Sequence, residues 1–275
     1  MQSRLKDEGK EVSIRKICSV LGITRSNVYY RTTGKSKSKV RDKEVESSLY
    51  QLIQRYPEYG LRRLTAMVIR QENKRINRKK IHRIIKLNNW QVMKKPKGHR
   101  PRAKGWMSRT TVPNLRWAID TTHIFTRNGW CHFTAIIDCC DRDIVGWRLS
   151  NSGKAKVAAA ALEDALYNRG IKIPYPDLII RSDNGLVFGS KEFVKITKKY
   201  GLTQEYITPY TPQQNGMIER FFGSLKSECV WHYQFDDQDH AFKIISDWIE
   251  EYRTKRPHSS LNYLSPAEYR EKLTA

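Results

Sequence analysis

Three acids carry the chemistry this sequence could perform: Asp120, Asp183 and Glu219. Asp120 ends the short apolar run Leu115-Arg116-Trp117-Ala118-Ile119-Asp120. Asp183 lies just past the apolar run 177–181, in Ser182-Asp183-Asn184-Gly185, where the glycine permits a sharp turn. Glu219 follows the polar, Pro-broken stretch 208–214, in a helix for which Asn215 is a natural cap. Two strand ends and a helix start can bring together residues 63 and 36 positions apart. Three carboxylates in one place repel and raise one another's pKa values. Hard divalent cations resolve that conflict, because Mg²⁺ takes oxygen ligands and recruits phosphate oxygens. Two such ions can activate an attacking oxygen and stabilise a leaving one in an in-line displacement. Each acid also has a plainer role: Asp183 as a turn residue, Glu219 as a first-turn acid favouring the helix dipole, and Asp120 as a cap of a following turn.

The elements that would position these acids lie in the second half of the chain. A second strand is expected over 133–138 and a third over 144–149, paired across a turn at Asp141-Arg142-Asp143. A helix over 154–169 closes at Gly170, and a strand over 177–181, a helix over 190–200 and a strand over 204–208 follow. Three consecutive strands and then β-α-β alternation predict an α/β fold with a mixed sheet and helices packed on it. Late in the chain Phe242, Ile245, Trp248 and Ile249 have helical spacing and read as core, with a contact between subunits as the alternative.

The first half has a different character. The 275 residues carry 51 Lys+Arg against 28 Asp+Glu, a net charge of +23. Residues 1–112 hold 30 basic and 8 acidic residues, and the remainder is nearly balanced. Such an excess points to a polyanionic partner, most often nucleic acid, and implies salt-sensitive binding. No apolar run is long enough to span a membrane, and the charged opening MQSRLKDEGK is not a secretory signal. Five cysteines without CxxC spacing argue against structural zinc and a disulfide scaffold, and fit a reducing cytosol.

Two helix-turn-helix units fit the basic half. Residues 13–31 read helix, turn at Leu21-Gly22-Ile23, and a second helix capped by Thr24, with Arg25, Ser26, Tyr29 and Tyr30 as candidate DNA contacts and an ordinary helical hairpin as the alternative. Residues 45–93 hold three amphipathic helices, the third capped by Asn77 and opening on Arg78, Lys79, Lys80 and Arg83, a basic set suited to a groove or to the outer face of a bundle. The expected division is thus 1–32, a linker over 33–44, a second unit over 45–93, a basic linker over 94–112, and a catalytic core over 113–275.

The segments WAIDTTHI, RSDNG and TPYTPQQNGMIERFFGSLKSE resemble the DDE signature of the retroviral-integrase superfamily, and the 35 residues between Asp183 and Glu219 match its D,D-35-E spacing. More narrowly, AIIDCCDRDIVGWRLS, EYGLRRLTAMVIRQENKRINRKKIHRIIK and RPHSSLNYLSPAEYR are similar to the OrfB transposases of the insertion sequence 3 family. The resemblance implies an RNase H-like core binding two Mg²⁺ ions, with Mn²⁺ as substitute, on Asp120, Asp183 and Glu219. It implies contact of Lys226 with terminal DNA, and roles for Asn184 and Asn215 beside the acids. It further implies cleavage and strand transfer on double-stranded DNA in the bacterial cytoplasm, by an oligomer of at least two chains, acting alone, with an OrfA product or as an OrfAB fusion. The segment EEYRTKRPH departs from the family's usual Tyr-Asn before the basic residue. A DNA-binding regulator with an inactive core and a metal-dependent nuclease are the alternatives.

Overall fold

The computed structural model describes residues 13–26, 35–92, 110–171, 174–208 and 211–274. Helix α1 (Ile14–Val20) is capped by Ser13, whose hydroxyl accepts from the Lys16 N–H. A turn through Gly22 leads to Arg25 and Ser26, where a second helix starts; Tyr29 and Tyr30 lie outside the described residues. Helix α2 (Lys35–Arg55) begins inside the segment expected as a linker over 33–44. Past Gly34 that stretch contains only Lys, Ser, Val, Arg, Asp and Glu, none of which breaks a helix, so α2 extends backwards. Helices α3 (Leu61–Glu72) and α4 (Arg78–Leu87) complete the bundle. Val45, Leu49, Leu64, Val68, Ile81, Ile84 and Ile85 form its core. Asn77 caps α4 through a 2.9 Å bond from the Lys79 N–H. The basic linker expected over 94–112 lies mostly outside the described residues.

The second half contains β1 (Arg116–Thr126), β2 (Gly129–Asp138), β3 (Ile144–Ser150), α5 (Ala155–Asn168), β4 (Ile179–Ser182), α6 (Lys191–Lys199), β5 (Thr203–Tyr206), α7 (Gly216–Glu228), α8 (Gln238–Thr254) and α9 (Pro266–Thr274). The sheet order is β3-β2-β1-β4-β5. The first three strands are antiparallel neighbours, and β4 and β5 run parallel to β1. This is the mixed sheet the alternation predicts.

Helices cover both faces. Trp117, Ile119, Ile136 and Val145 pack on α5 and α6 through Ala161, Leu162, Ala165 and Phe193. Ala118, Ile124, Phe133 and Ala135 pack on α7 and α8 through Phe221, Leu225, Ile245 and Ile249. Alternation along β1 therefore puts residues 118, 120 and 124 on the α7 side. Helix α5 approaches β3 so closely that a Cβ on Gly146 would stand 2.5 Å from the Ala161 carbonyl oxygen and 2.7 Å from the Ala165 Cβ. Gly146→Ala should overpack this contact and lower stability by about 1–3 kcal/mol, read as a lower urea midpoint. An unchanged midpoint would mean that the two layers part freely.

Buried ions tie the helical bundle and the C-terminal segment to α7. Glu228 accepts from Arg256 in a bidentate pair at 2.7 and 2.7 Å and from Arg63 of α3 at 2.9 Å. Arg256 also donates to His258 Nε2 at 3.3 Å, so that nitrogen carries a lone pair and no proton. Burial, then the charges of Arg256, Arg142 and Arg63, push the His258 imidazole down to about 2. The unfolded chain binds this proton below about pH 6.5, whereas the folded one refuses it until far lower pH. This contribution is present above pH 6.5 and should fall by up to ~1.4 kcal/mol per pH unit as acid is added. Denaturant midpoints from pH 7.5 to 4.5 should decline more shallowly in His258→Gln than in the wild type; identical slopes would exclude His258 as the cause.

Candidate catalytic site

The site forms where β4 parts from β1. The last paired residues are Ala118 and Arg181, so two residues further along each strand stand Asp120 and Asp183. Asp120 is not at a strand end, as its sequence context suggested: β1 continues through TTHIFT to Thr126, because β2 pairs with it over this whole length. Asp183 sits in the turn after β4, where its Oδ1 accepts from the Gly185 N–H at 2.9 Å. A Cβ on Gly185 would lie 2.8 Å from that same oxygen, so a larger residue there would push the Asp183 carboxylate aside. Glu219 lies exposed in the first turn of α7, above the sheet face to which Asp120 points.

Electrostatics tie the three acids together. Burial pushes the Asp120 carboxyl up to about 6 against a hydrogen bond from the Thr121 N–H, and the charges of Asp183 and Glu219 push it further in the same direction. Partial burial also raises the Glu219 carboxyl. Among the described residues, no Lys or Arg is ion-paired with any of the three. The other buried acids of the core each have an arginine nearby: Asp138, Asp141 and Asp143 face Arg169, the latter two also Arg270 and Arg253 respectively, and Glu228 pairs with Arg256. The three acids nevertheless stand apart from one another as ligands: among the described residues, no group of three or more His, Cys, Asp or Glu side chains is gathered as a metal ion would require. Two of the carboxylates are held by backbone N–H groups, those of Thr121 and Gly185, and the third extends into solvent.

Neighbouring residues divide into positioning groups and unengaged groups. Asn184 Nδ2 donates to the Ile207 carbonyl at 2.9 Å, tying the Asp183 turn to the end of β5. Asn215 occupies the cap position of α7 but makes no side-chain cap bond, and its buried Oδ1 has no hydrogen-bond partner among the described residues. Its backbone, near φ −98° and ψ 9°, lies outside the extended region usual for a capping side chain. Lys226 is two helical turns beyond Glu219 on α7. Arg181 was missed by sequence reasoning. Buried at the end of β4, it donates to the Gln214 carbonyl at 3.0 Å and pairs with Glu205 at 2.9 Å, fixing the start of α7 above Asp183. The signal was present, since an arginine interrupts the apolar run LIIRS.

The basic residues expected on DNA are unequally disposed. Arg78 and Lys79 are exposed at the start of α4. Lys80 and Arg83 turn back to Asp42 of α2, Lys80 at 2.9 Å. Arg25 and Ser26 are exposed, with the Ser26 hydroxyl 2.9 Å from that of Thr24. All five cysteines are buried and unbridged, in keeping with their irregular spacing. No helix among the described residues is long and apolar enough to cross a membrane.

Two family models, each described as an integrase core domain, match residues 110–212 and 200–266. The chain is 28% identical over 267 residues to an uncharacterized 31.7 kDa protein of insertion element IS407 from Burkholderia multivorans, covering 96% of this chain and 93% of that one. It is 27% identical over 275 residues to the transposase InsD of insertion element IS2D from Escherichia coli, covering 95% and 91%. Its fold is similar to a chain of the simian T-cell lymphotropic virus intasome in complex with PP2A regulatory subunit B56 gamma, with a TM-score of 0.52, 17% identity and coverage of 80% and 73%. The two core-domain matches run end to end over the sheet and the helix bearing the acids, and the relatives align along almost the whole length. The chain belongs to the DDE transposases of the insertion sequence 3 family, built on an integrase catalytic core.

Proposed function

We propose that this chain cuts DNA at the ends of an insertion sequence and joins the freed ends to new phosphodiesters. In the first step water displaces one side of a phosphodiester, leaving a 3′-OH and a 5′-phosphate. In the second, that 3′-OH attacks another phosphodiester; a new P–O bond forms, the old 3′-oxygen departs, and the attacking proton passes to solvent. No covalent enzyme–DNA bond is required. Asp120, Asp183 and Glu219 would hold the divalent cations, and their donor chemistry fits: three carboxylates with no ion-paired Lys or Arg among the described residues suit two Mg²⁺ or Mn²⁺ ions. When bound, those ions supply activation of the attacking oxygen and stabilisation of the leaving one. The observation that carries this reading is the position of Asp120 and Asp183 two residues past the last β1–β4 pair, with the half-buried Asp120 carboxyl raised in part by the other two acids.

The remaining residues align the DNA. Lys226 lies on α7 two helical turns beyond Glu219 and would take a terminal phosphate. Asn215, with its unpartnered oxygen, would orient the substrate, while Asn184 and Arg181 hold the turn and the helix in place. Arg25, Ser26, Tyr29, Arg78 and Lys79 would grip double-stranded DNA, with Lys80 and Arg83 first having to release Asp42. Two ends must be held together, so the active form would be at least a dimer, alone or joined to an OrfA product. Incubation of purified protein with labelled terminal DNA and Mg²⁺ tests the proposal. Joined products are expected; nicks without joining would make it a nuclease, and a shifted but unaltered band would make it a regulator.

A further inference from the structure

A cleft of about 640 Å³ opens between the β1–β2 hairpin and the segment that follows α7, with Lys226 of α7 on its wall. One wall carries Phe125 and Trp130, which are register partners with ring centroids 5.1 Å apart. The other carries Trp231 and Tyr233. All four aromatic residues are more than half exposed, with Trp231 at 73%. Exposed aromatic surface on this scale, concentrated in one place, marks a binding surface.

The walls are fixed to each other before anything binds. The Arg127 N–H at the hairpin donates to the Phe235 carbonyl at 2.9 Å, and the Arg127 guanidinium pairs with Asp236 at 2.8 Å. The His232 ring contacts the Ser227 carbonyl at 2.8 Å, holding the Trp231 turn against α7. Lys226 stands on the cleft wall, and among the described residues no acid lines it and the aliphatic side chains in the lining are Ile124 and Val230. Flat π faces with an ammonium group beside them suit a stacked base and its phosphate, whereas an apolar peptide would call for aliphatic pockets.

We propose that this cleft holds an unpaired nucleotide of the DNA strand leaving the acids, its base stacked on Trp130 or Trp231 and its phosphate at Lys226. The proposal rests on the reading of the acids given above, because Lys226 lies about 11 Å along α7 from Glu219, a reach of one or two nucleotides. It does not depend on catalysis, and its test is done without divalent metal.

A fluorescein-labelled oligothymidylate is titrated with the full chain in EDTA, followed by anisotropy, and compared with a blunt duplex. Trp130→Ala/Trp231→Ala should lose ~10-fold or more in oligothymidylate affinity. Its duplex affinity should change less than about 3-fold and its melting temperature should stay put, because both rings are exposed. Trp130→Phe/Trp231→Phe should keep most of the single-strand affinity. Photocrosslinking of 5-iodouracil in the oligonucleotide should map to the cleft aromatics. Single-strand affinity of the double alanine variant within twofold of the wild type would overturn the proposal and leave a protein partner as occupant. An equal loss on single strand and duplex would overturn it as well. A chain that binds oligothymidylate through these rings yet never joins DNA would instead contradict the transposase reading alone.

Discussion

Asp183→Asn should abolish cleavage and joining of terminal DNA, with a loss of more than ~10³-fold, while duplex binding stays within a few-fold of the wild type. Asp120→Asn and Glu219→Gln should do the same. A group that aligns cations acts as a unit with its partners, so the double variant should be little worse than either single one. Strand-transfer assays on a pre-cut end would show whether both steps fall together. Retention of even a tenth of the activity by any single variant would remove that acid from the machinery.

Asp120→Asn carries a second signature that points in the opposite direction. Its carboxyl is raised from its ordinary range to about 6, chiefly by burial, then by Asp183 and Glu219. A raised acid stabilises the fold while it stays protonated and loses that contribution as pH rises through the folded value. At pH 7.5 without metal, ionised Asp120 thus costs on the order of 3 kcal/mol, and Asn removes that cost while keeping the oxygen that accepts from Thr121. The variant should melt several degrees higher in EDTA. Mg²⁺ should raise the melting temperature of the wild type and not of the variant. A destabilised variant in EDTA would contradict the assignment of Asp120 as an uncompensated charge.

The largest stability effect is expected at Arg256. It supplies both bonds of the bidentate pair to Glu228, a third to the Ser224 hydroxyl and a fourth to His258. Arg256→Ala would leave Glu228 with Arg63 alone and a cavity where the guanidinium lay. Breaking a buried pair from one side costs about 3–5 kcal/mol. Guanidinium unfolding should show that loss, and Glu228→Gln/Arg256→Met should recover part of it because no uncompensated charge then remains. A loss below ~1 kcal/mol in the single variant would show that the pair is replaced by water.

Much of this architecture can be read from the residues. The alternation of strands and helices after residue 113 yields the sheet and its two helical layers, because the apolar runs differ in period and are separated by Gly170, Asp177 and Asn215. The core side of α8 follows from its spacing: Ala241, Ile245, Ile249 and Tyr252 are buried, while Phe242 remains half exposed. The extent of β1 was not legible, since an aspartate is a poor strand residue and reads as a terminus. It sits in mid-strand because β2 supplies its ladder, and such a local conflict is what a functional position shows. The long start of α2 was hidden by Ser and Lys, which suit a linker as well as a helix. The ionic ties of Lys80 and Arg83 to Asp42 depend on tertiary packing of α4 on α2, and no spacing reveals them. The aromatic cleft draws on two segments a hundred residues apart, so neither looks special by itself.

The convergence of the acids on shared cations is tested most directly by crystals soaked in Mn²⁺, with data collected at an energy where manganese scatters anomalously. One or two peaks flanked by Asp120, Asp183 and Glu219 are predicted, and they should vanish in Asp183→Asn. Peaks elsewhere on the chain, with none touching all three carboxylates between them, would contradict the account.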